Sequence, residues 1–342
     1  MLRCQLPSYV KEKLGTMEAL YACLKTPSKE GYEKEYFWIS GVALVFVGFV
    51  GLIGNILCLF VLFRKEFRKK TFYNLLITMA CFDTLFIISY GIKISYQSMA
   101  CRENYIYEVG HIAYPLLNVG LCGSIYSTVA VSLERYFTLC HPRFALSKKL
   151  WLYITFVLGI TFSYNLPRFF EYHYFISNGT LHSEKNEWVK YETYQNIYHH
   201  WVALFVENII PIVLLLIFNG AIMKTICRID KHKHEISKLS NKNNNRSTAT
   251  KILLAIVAVF IVCHTPCIVY KSLWYFSCIN CTSMEEDEDR RKWFFITPIK
   301  KLALVINSSV NFMIYAAMGT KFRKEFLNIF KCKTMPRKYS MD

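Results

Sequence analysis

Seven apolar blocks, separated by polar and mostly basic segments, constrain the fold of this chain more than any other feature. Each block is close to the roughly 20 residues that a helix needs to cross the hydrocarbon core of a bilayer. They cover residues 36–63, 72–92, 109–133, 150–167, 201–223, 252–270 and 302–318. Because lipid cannot hydrogen-bond to exposed backbone groups, we expect helices. The sequence predicts an all-α membrane protein, a seven-transmembrane helix bundle.

The Lys and Arg residues between the blocks predict the orientation of the bundle. One alternating set of segments, which includes the C-terminal tail, holds 23 of them, and the opposite set holds 12. Since basic loops remain in the cytoplasm, we expect the N-terminus outside and the C-terminus inside the cell. The expected parts are an extracellular segment (1–35), the bundle (36–318), an amphipathic cytoplasmic helix (319–332) and a cytoplasmic tail (333–342).

The net charge of +17 does not indicate a nucleic-acid partner, because the basic residues lie between apolar blocks and form no single face. After the seventh block, Phe322, Phe326, Ile329 and Phe330 recur at helical spacing among Lys and Arg. This pattern is typical of a short eighth helix on the anionic inner surface of a bilayer. Cys332, at its end, is a candidate for palmitoylation.

Two predicted outer loops carry Asn-X-Thr triplets, at Asn178 and Asn280, which are candidates for glycosylation. Five of the thirteen cysteines fall on predicted outer segments, where disulfides are permitted. They are Cys4, Cys23, Cys101, Cys278 and Cys281. Their odd number leaves at least one of them without a partner among the five.

Polar residues inside the predicted spans form a second pattern. Asp83 lies in the middle of the second block, and burying a charge in a bilayer is expensive. The other polar residues that could join it from neighbouring blocks are Asn55, Ser124, Asn307, Ser308 and Asn311. Oxygen ligands around one carboxylate suit a small hard cation such as Na⁺. The alternative is a hydrogen-bonded network that only holds the helices together.

The stretch "SLERYFTLCHP" places Glu134, Arg135 and Tyr136 at the predicted cytoplasmic end of the third block. A solvated helix end or a snorkelling Arg would explain such a pair without any function. Pro211 and Pro266 lie inside the fifth and sixth blocks, where proline removes a backbone hydrogen bond and bends a helix. Two such bends favour a bundle that moves.

Together these motifs resemble those of the rhodopsin-like (class A) G protein-coupled receptors, over about residues 36–332. "GLIGN", Asp83, "ERY", "CHTP" and "NFMIY" occur in the family's order and spacing. The resemblance implies that Arg135 stabilises the resting state and then contacts a heterotrimeric G protein. It implies no cofactor, but a pocket for an allosteric Na⁺ at Asp83, Ser124, Asn307, Ser308 and Asn311. The residues implied in coupling and activation are Glu134, Arg135, Tyr136, His264, Pro266, Asn311 and Tyr315.

Several positions depart from that family pattern. Glu134 replaces the commoner Asp, His264 stands where Trp is usual, and Asn219 stands where Tyr is usual in the fifth span. Phe312 replaces the Pro of "NPxxY". The second outer loop lacks the usual Cys, which leaves the partner of Cys101 open.

Two subfamilies are excluded by single positions and one is favoured. Leu117 lies where amine receptors carry Asp, and Val305 where opsins carry the retinal Lys. "NLPRFFEY" and "NSSVNFMIY" look most like invertebrate neuropeptide receptors of the FMRFamide type. The resemblance therefore implies a plasma-membrane receptor for an extracellular peptide.

The implied ligand cavity has an ambiguous charge. Its candidate residues are Lys93, His111, Asn118, Glu171, Glu207, Lys271, Trp274 and Lys301. A peptide ending in Arg-Phe-amide would need a carboxylate, for which Glu171 and Glu207 are candidates. The lysines instead favour an acidic or carboxylate-bearing ligand, unless each extends outward to the headgroups, as Lys271 in particular could.

Other classes of membrane protein fit less well. An ion-coupled transporter could use Asp83 and Lys301, but the chain shows no internal repeat. An enzyme is not expected, because neither HExxH nor a nucleophile elbow is found.

Overall fold

The computed structural model describes residues 37–99, 107–143, 149–177, 180–235, 244–280 and 287–330. The glycosylation candidate Asn178, the lipidation candidate Cys332 and four of the five outer cysteines lie outside these ranges. The side chains of His111, Trp274, Cys278 and Asn280 also lie outside the described part of the chain.

The described helices form the seven spans in chain order. The first span joins a π-helical segment, Phe37–Ala43, to Leu44–Leu62; the second is Thr71–Met99, the third Tyr107–Cys140 and the fourth Leu150–Asn165. The fifth joins the π-helical segments Gln195–Val202 and Phe205–Ile209 to Ile210–Glu235; the sixth is Asn244–Asn280, and the seventh joins Asp287–Ser309 to Asn311–Met318. Short helices, Lys65–Arg68, Glu187–Lys190 and Glu192–Tyr194, lie between spans, and Thr320–Phe330 follows the seventh.

Six helices in the described ranges are long and apolar enough to cross a membrane, and the seventh span makes the count seven when its bent pair is taken as one. Its two helices meet at 43° between Ser309 and Asn311. Five of the seven spans, all but the first and the fourth, are longer than their apolar blocks, and the third continues past Arg135 to Cys140. Hydropathy marks only the lipid-embedded part, whereas backbone hydrogen bonds continue a helix beyond the bilayer.

The third span is the centre of the bundle, because 83% of its apolar window is buried, against 50% or less in the first, second, fourth, fifth and sixth spans. It packs against the second, fourth and fifth spans, and the first and sixth spans each pack against the seventh. The second span approaches it closely at Gly120, where an added Cβ would lie 2.6 Å from the Phe86 backbone nitrogen. Any larger residue at Gly120 would separate these two helices.

A two-stranded antiparallel hairpin, which an all-α expectation does not include, lies between the fourth and fifth spans. It consists of β1 (Tyr172–Ser177) and β2 (Thr180–Lys185), with Tyr172 opposite Lys185. A turn of 3₁₀ helix, Leu166–Phe170, leads into it. Asn186 closes the hairpin, because its Nδ2 donates to the Phe170 carbonyl at 2.6 Å. We call this end of the bundle the hairpin end.

The opposite end carries Glu134, Arg135 and Tyr136, and we call it the ERY end. The helix Thr320–Phe330 lies against it, with Phe322 buried beside Tyr315 and Phe312. Phe326 also packs on Phe312, with ring centroids 5.5 Å apart. The aromatic ring at the position usually held by proline therefore joins the seventh span to the helix that follows it.

Candidate functional site

The polar residues predicted to surround Asp83 do meet in the structure. Asp83 is fully buried, and its Oδ1 accepts a hydrogen bond from Ser124 Oγ at 2.6 Å. Its Oδ2 accepts one from Asn311 Nδ2 at 2.7 Å. One turn earlier on the seventh span, the backbone carbonyl of Ser308 accepts from Asn55 Nδ2 at 2.8 Å. We call these five residues the polar core, which ties together the first, second, third and seventh spans.

The polar core retains unused oxygen atoms. Asn55 Oδ1 and Ser309 Oγ are buried without a hydrogen-bond partner among the described residues. A buried acceptor without a donor costs free energy, and a cation or an ordered water can satisfy it. Asn307 is also buried on this part of the seventh span. The donor set is therefore carboxylate, amide and hydroxyl oxygen, which suits Na⁺ in chemistry.

At the ERY end, Glu134 and Arg135 form a local ion pair. Glu134 Oε2 lies 2.8 Å from Arg135 Nε, although the two groups lack the alignment of a hydrogen bond. Thr138 Oγ1 donates to the other carboxylate oxygen at 2.9 Å. The Arg135 guanidinium stacks 4.0 Å from the centre of the Phe72 ring on the second span. Both charges are almost fully buried, so Arg135 is not a snorkelling side chain.

Tyr136 and the activation candidates of the sixth span lie in two further contacts. Tyr136 OH lies 2.9 Å from His141 Nε2, and its ring packs on Phe218 of the fifth span. His264, two residues before Pro266 in the sixth span, is buried, and its ring stacks on Phe260 with centroids 4.0 Å apart. Its Nδ1 lies 3.2 Å from the amide oxygen of Asn208 in the fifth span.

At the hairpin end, Glu207 is the centre of a buried charged cluster. Its Oε1 accepts hydrogen bonds from Tyr164 OH at 2.8 Å and from Arg168 Nη2 at 3.1 Å. Its Oε2 accepts one from Lys271 Nζ at 3.1 Å. We call these four residues the Glu207 cluster. Lys271 therefore points into the bundle toward Glu207, and the outward orientation toward the headgroups is wrong for this residue.

Arg168 holds the Glu207 cluster together. Arg168 is only 3% exposed. Its guanidinium donates a hydrogen bond to Tyr164 OH at 2.8 Å and lies within 6.0 Å of the centres of three tyrosine rings. These rings belong to Tyr114, Tyr164 and Tyr198, on the third, fourth and fifth spans. Arg168 was absent from the candidate ligand residues. Its position in "NLPRFF", beside a proline at the end of an apolar block, was the available signal.

The local fold explains how Glu207 reaches its partners. The π-helical segment Phe205–Ile209 carries it directly before Pro211, whose missing N–H removes one hydrogen bond from this turn. Asn208, the next residue, turns toward His264 instead. Glu207 and Asn208 are adjacent in the sequence, but they bind different partners: Glu207 binds Arg168 and Lys271, and Asn208 contacts His264.

The remaining ligand candidates occupy separate surroundings. Glu171 is buried and binds Tyr194 OH at 3.0 Å and His199 Nε2 at 3.1 Å, apart from the Glu207 cluster. Asn118 is buried, and its side chain donates to the Tyr114 carbonyl on its own helix. Lys93 lies over the Tyr114 ring at 5.1 Å, and Lys301 is half-buried. The sequence offered Glu171 and Glu207 as candidates for the same role, but in the structure each carboxylate has its own set of hydrogen-bond partners.

The family of this chain follows from comparison with known proteins. A family model described as "7 transmembrane receptor (rhodopsin family)" matches residues 54–315. The chain belongs to the rhodopsin family of seven-transmembrane receptors, as its motifs predicted. The match includes the polar core, the ERY end and the Glu207 cluster.

The similar proteins include receptors for small peptides. An FMRFamide receptor of Drosophila melanogaster is 33% identical over 88% of this chain and 55% of its own length. An FMRFamide peptide receptor of Caenorhabditis elegans is 23% identical over 86% of this chain and 69% of its own length. A thyrotropin-releasing hormone receptor of Mus musculus is 25% identical over 88% of this chain and 81% of its own length. The chain therefore spans about half the length of the Drosophila receptor.

Proposed function

We propose that this protein is a plasma-membrane receptor that binds an extracellular, FMRFamide-like peptide at its hairpin end and activates a heterotrimeric G protein at its ERY end. The observation that carries the proposal is the Glu207 cluster, which brings charged side chains of the fourth, fifth and sixth spans together inside a bundle of receptor family. The similarity to FMRFamide receptors of Drosophila melanogaster and Caenorhabditis elegans supports the peptide class.

The proposed orientation places the hairpin end outside the cell and the ERY end in the cytoplasm. The excess of Lys and Arg in the segments at the ERY end supports this orientation. The helix Thr320–Phe330 would then lie on the inner membrane surface, with Leu327 and Ile329 exposed toward lipid. Glycosylation at Asn178 or Asn280 and palmitoylation at Cys332 stay predictions of the same topology.

Signal transfer would follow contacts that connect the two ends. Ligand binding changes the contacts of Lys271 or Glu207, and His264 lies about two helical turns from Lys271 toward the ERY end of the sixth span. The sixth span can swing at Pro266, which breaks its backbone ladder. A ligand that binds the swung conformation more tightly shifts the population toward it. Arg135, released from Glu134, would then be available to the G protein.

The polar core would bind Na⁺ in the resting conformation. Asp83, Asn55 and Ser124 would hold the ion, with Ser308 and Asn311 completing the group, and the ion would supply positive charge to the buried carboxylate. Removing the ion or the carboxylate would favour the active conformation, because it removes a tie between the second, third and seventh spans.

The test of the proposed function is G protein activation in cells that express the receptor, with FMRFamide and a library of related amidated peptides as ligands. Activation by at least one of these peptides is the expected result. The Arg135→Ala variant should lose at least about tenfold of the response, a change of about 1.4 kcal/mol in coupling, while peptide binding is retained. Absence of any response to the whole library would contradict the proposal. An equal loss of binding and response in Arg135→Ala would show misfolding and remove Arg135 from the mechanism; Arg143→Ala, an exposed residue beyond the same helix, is the matched control.

A further inference from the structure

Five cations lie near one another inside the hairpin end of the bundle. Arg168 and Lys271 flank Glu207, Lys93 interacts electrostatically with Arg168 and Lys301, and Lys300 interacts with Lys271 and Lys301. We call Lys93, Arg168, Lys271, Lys300 and Lys301 the cationic cluster. They come from the second, fourth, sixth and seventh spans, so the cluster lies between helices and is not the face of one helix.

The cluster has too few carboxylates to balance it. Glu207 contacts Arg168 and Lys271, which leaves the five cations and this one carboxylate with a formal charge of +4. Glu171, a second buried acid at the hairpin end, is bound to Tyr194 and His199. Counting Glu171 as well still leaves +3. Among the described side chains, no carboxylate lies within ion-pair distance of Lys93, Lys300 or Lys301.

Aromatic rings take the place of acids around two of these lysines. Lys300 Nζ lies 3.5 Å from the centre of the Tyr270 ring, and Lys93 Nζ lies 5.1 Å from that of Tyr114. A cation over a ring is attracted by the negative face of the ring, which holds the ammonium group in place but does not cancel its charge. Lys93, Lys300 and Lys301 each keep part of their surface exposed, whereas Arg168 is buried.

An excess of like charge in a medium of low dielectric is unfavourable, and an anion placed among the cations removes the repulsion. A natural ligand with only cationic groups would increase the repulsion instead. The peptide amide and arginine of an FMRFamide-like C-terminus do not supply the missing negative charge. An anionic group in another part of the ligand would supply that charge.

We propose that the cationic cluster is a recognition subsite for an anionic group of the peptide ligand, such as an Asp or Glu side chain. The subsite rests on the proposed function, because it assumes that a peptide binds at the hairpin end. Glu207 then has a different task from pairing with a ligand arginine: it fixes Arg168 and Lys271 in position. The lysines of the seventh and second spans, Lys300, Lys301 and Lys93, meet the ligand carboxylate.

The test uses two peptides that differ only in charge, Asp-Asp-Phe-Met-Arg-Phe-amide and Asn-Asn-Phe-Met-Arg-Phe-amide, in competition binding to the full-length receptor in membranes. We expect the Asp peptide to bind at least about tenfold more tightly than the Asn peptide, which corresponds to one well-placed buried charge contact. The preference should fall to below about threefold in Lys300→Gln and in Lys93→Gln. It should persist in Lys300→Arg, which retains the charge.

Lys190→Gln is the matched control, because Lys190 is an exposed residue near the hairpin that contacts Glu187. Its preference for the Asp peptide should equal that of the unmodified receptor. Equal affinities of the two peptides in the unmodified receptor, or an unchanged preference in both Gln variants, would overturn the subsite while leaving the peptide receptor intact. The preference for the Asp peptide could also appear only after the acidic run at residues 285–289 is neutralised. That result would show that the chain's own carboxylates occupy the cationic cluster, and it would also overturn the subsite.

Failure of the proposed function has a separate result. Neither peptide would then bind or activate, and the subsite would be rejected together with the peptide class. Thermal unfolding of each purified variant separates a lost preference from a lost fold.

Discussion

Asp83 and Glu207 are both buried carboxylates inside the same bundle, but their surroundings are opposite. Asp83 receives neutral donors, a hydroxyl and an amide, and no cationic side chain is among its hydrogen-bond partners in the described residues. Glu207 receives an arginine, a lysine and a tyrosine hydroxyl. The first site has negative charge to spare and suits a small cation. The second is outnumbered by cations and suits an anion.

This difference shows that burial alone does not define what a charged residue does. A buried charge needs a compensating charge, and the sign of what is missing indicates the sign of the ligand. The polar core and the cationic cluster therefore make opposite demands within one membrane protein. They can be tested separately.

The largest expected loss of stability follows from a change in the Glu207 cluster. Arg168→Ala should destabilise the receptor by about 3–5 kcal/mol, because it leaves Glu207 with one cation fewer and removes a guanidinium packed among three tyrosines. Thermal unfolding of purified receptor measures the loss.

The stability losses of Arg168→Ala and Glu207→Gln should not add in the double variant Arg168→Ala/Glu207→Gln, because both single changes remove the same contact between Arg168 and Glu207. Equal stability of Arg168→Ala and the unmodified receptor would mean that Glu207 does not depend on Arg168. The contrast between the neutral partners of Asp83 and the charged partners of Glu207 would then have no effect on stability.

A smaller effect is expected at the neutral side. Asp83→Asn should cost only about 1 kcal/mol of stability, since Ser124 can still donate to the amide oxygen and only the bond from Asn311 is lost. Its main effect should be functional, a loss of sodium sensitivity in agonist binding. Sodium coupling of this kind is typically about fivefold or more in affinity.

Agonist affinity in sodium buffer against choline buffer measures the coupling. Asn74→Ala, a residue on the same helix that donates to the Arg68 carbonyl, is the control and should retain the sodium effect. Unchanged sodium sensitivity in Asp83→Asn would remove the ion from the polar core and leave a structural hydrogen-bond network.

The smallest expected loss of stability is at an exposed ion pair, and it tests whether burial determines the strength of such pairs. Arg64 Nη1 lies 3.0 Å from Glu325 Oε2, a distance similar to that between Arg168 and Glu207, but the Arg64 side chain is 38% exposed. Arg64→Ala should change stability by less than about 1 kcal/mol, because water screens exposed pairs. A loss as large as that of Arg168→Ala would show that distance, not burial, sets the strength of these pairs.

The sequence predicted the spans and the residues of the polar core because both follow from simple rules. A charge or amide in an apolar block is visible at once, and the spacing of Asn307, Ser308 and Asn311 placed them on one turn of a helix. The Glu134–Arg135 ion pair joins two residues that are adjacent in the sequence, and the sixth span carries Lys251, not an acid, near its ERY end.

The hairpin end was harder to predict because it depends on contacts between distant segments. Arg168 meets Glu207 across 39 residues, and Lys271 meets it across 64. The helical periodicity of a sequence predicts which residues share a face of one helix, but it does not predict contacts between distant helices. The hairpin strands are also missed, because Tyr172–Ser177 and Thr180–Lys185 are short and their pairing depends on register. The bend at Ser309 and Asn311 follows no proline, since Phe312 replaces the usual one.

One measurement tests the separation of the two carboxylate sites most directly: the affinity of the Asp and Asn peptides, in sodium and in choline buffer, for the unmodified receptor, Asp83→Asn and Lys300→Gln. The account predicts that Asp83→Asn loses the sodium effect and keeps the preference for the Asp peptide. It predicts that Lys300→Gln loses the preference and keeps the sodium effect. Loss of both properties in either variant would contradict the assignment of a cation site and an anion subsite to separate parts of the bundle.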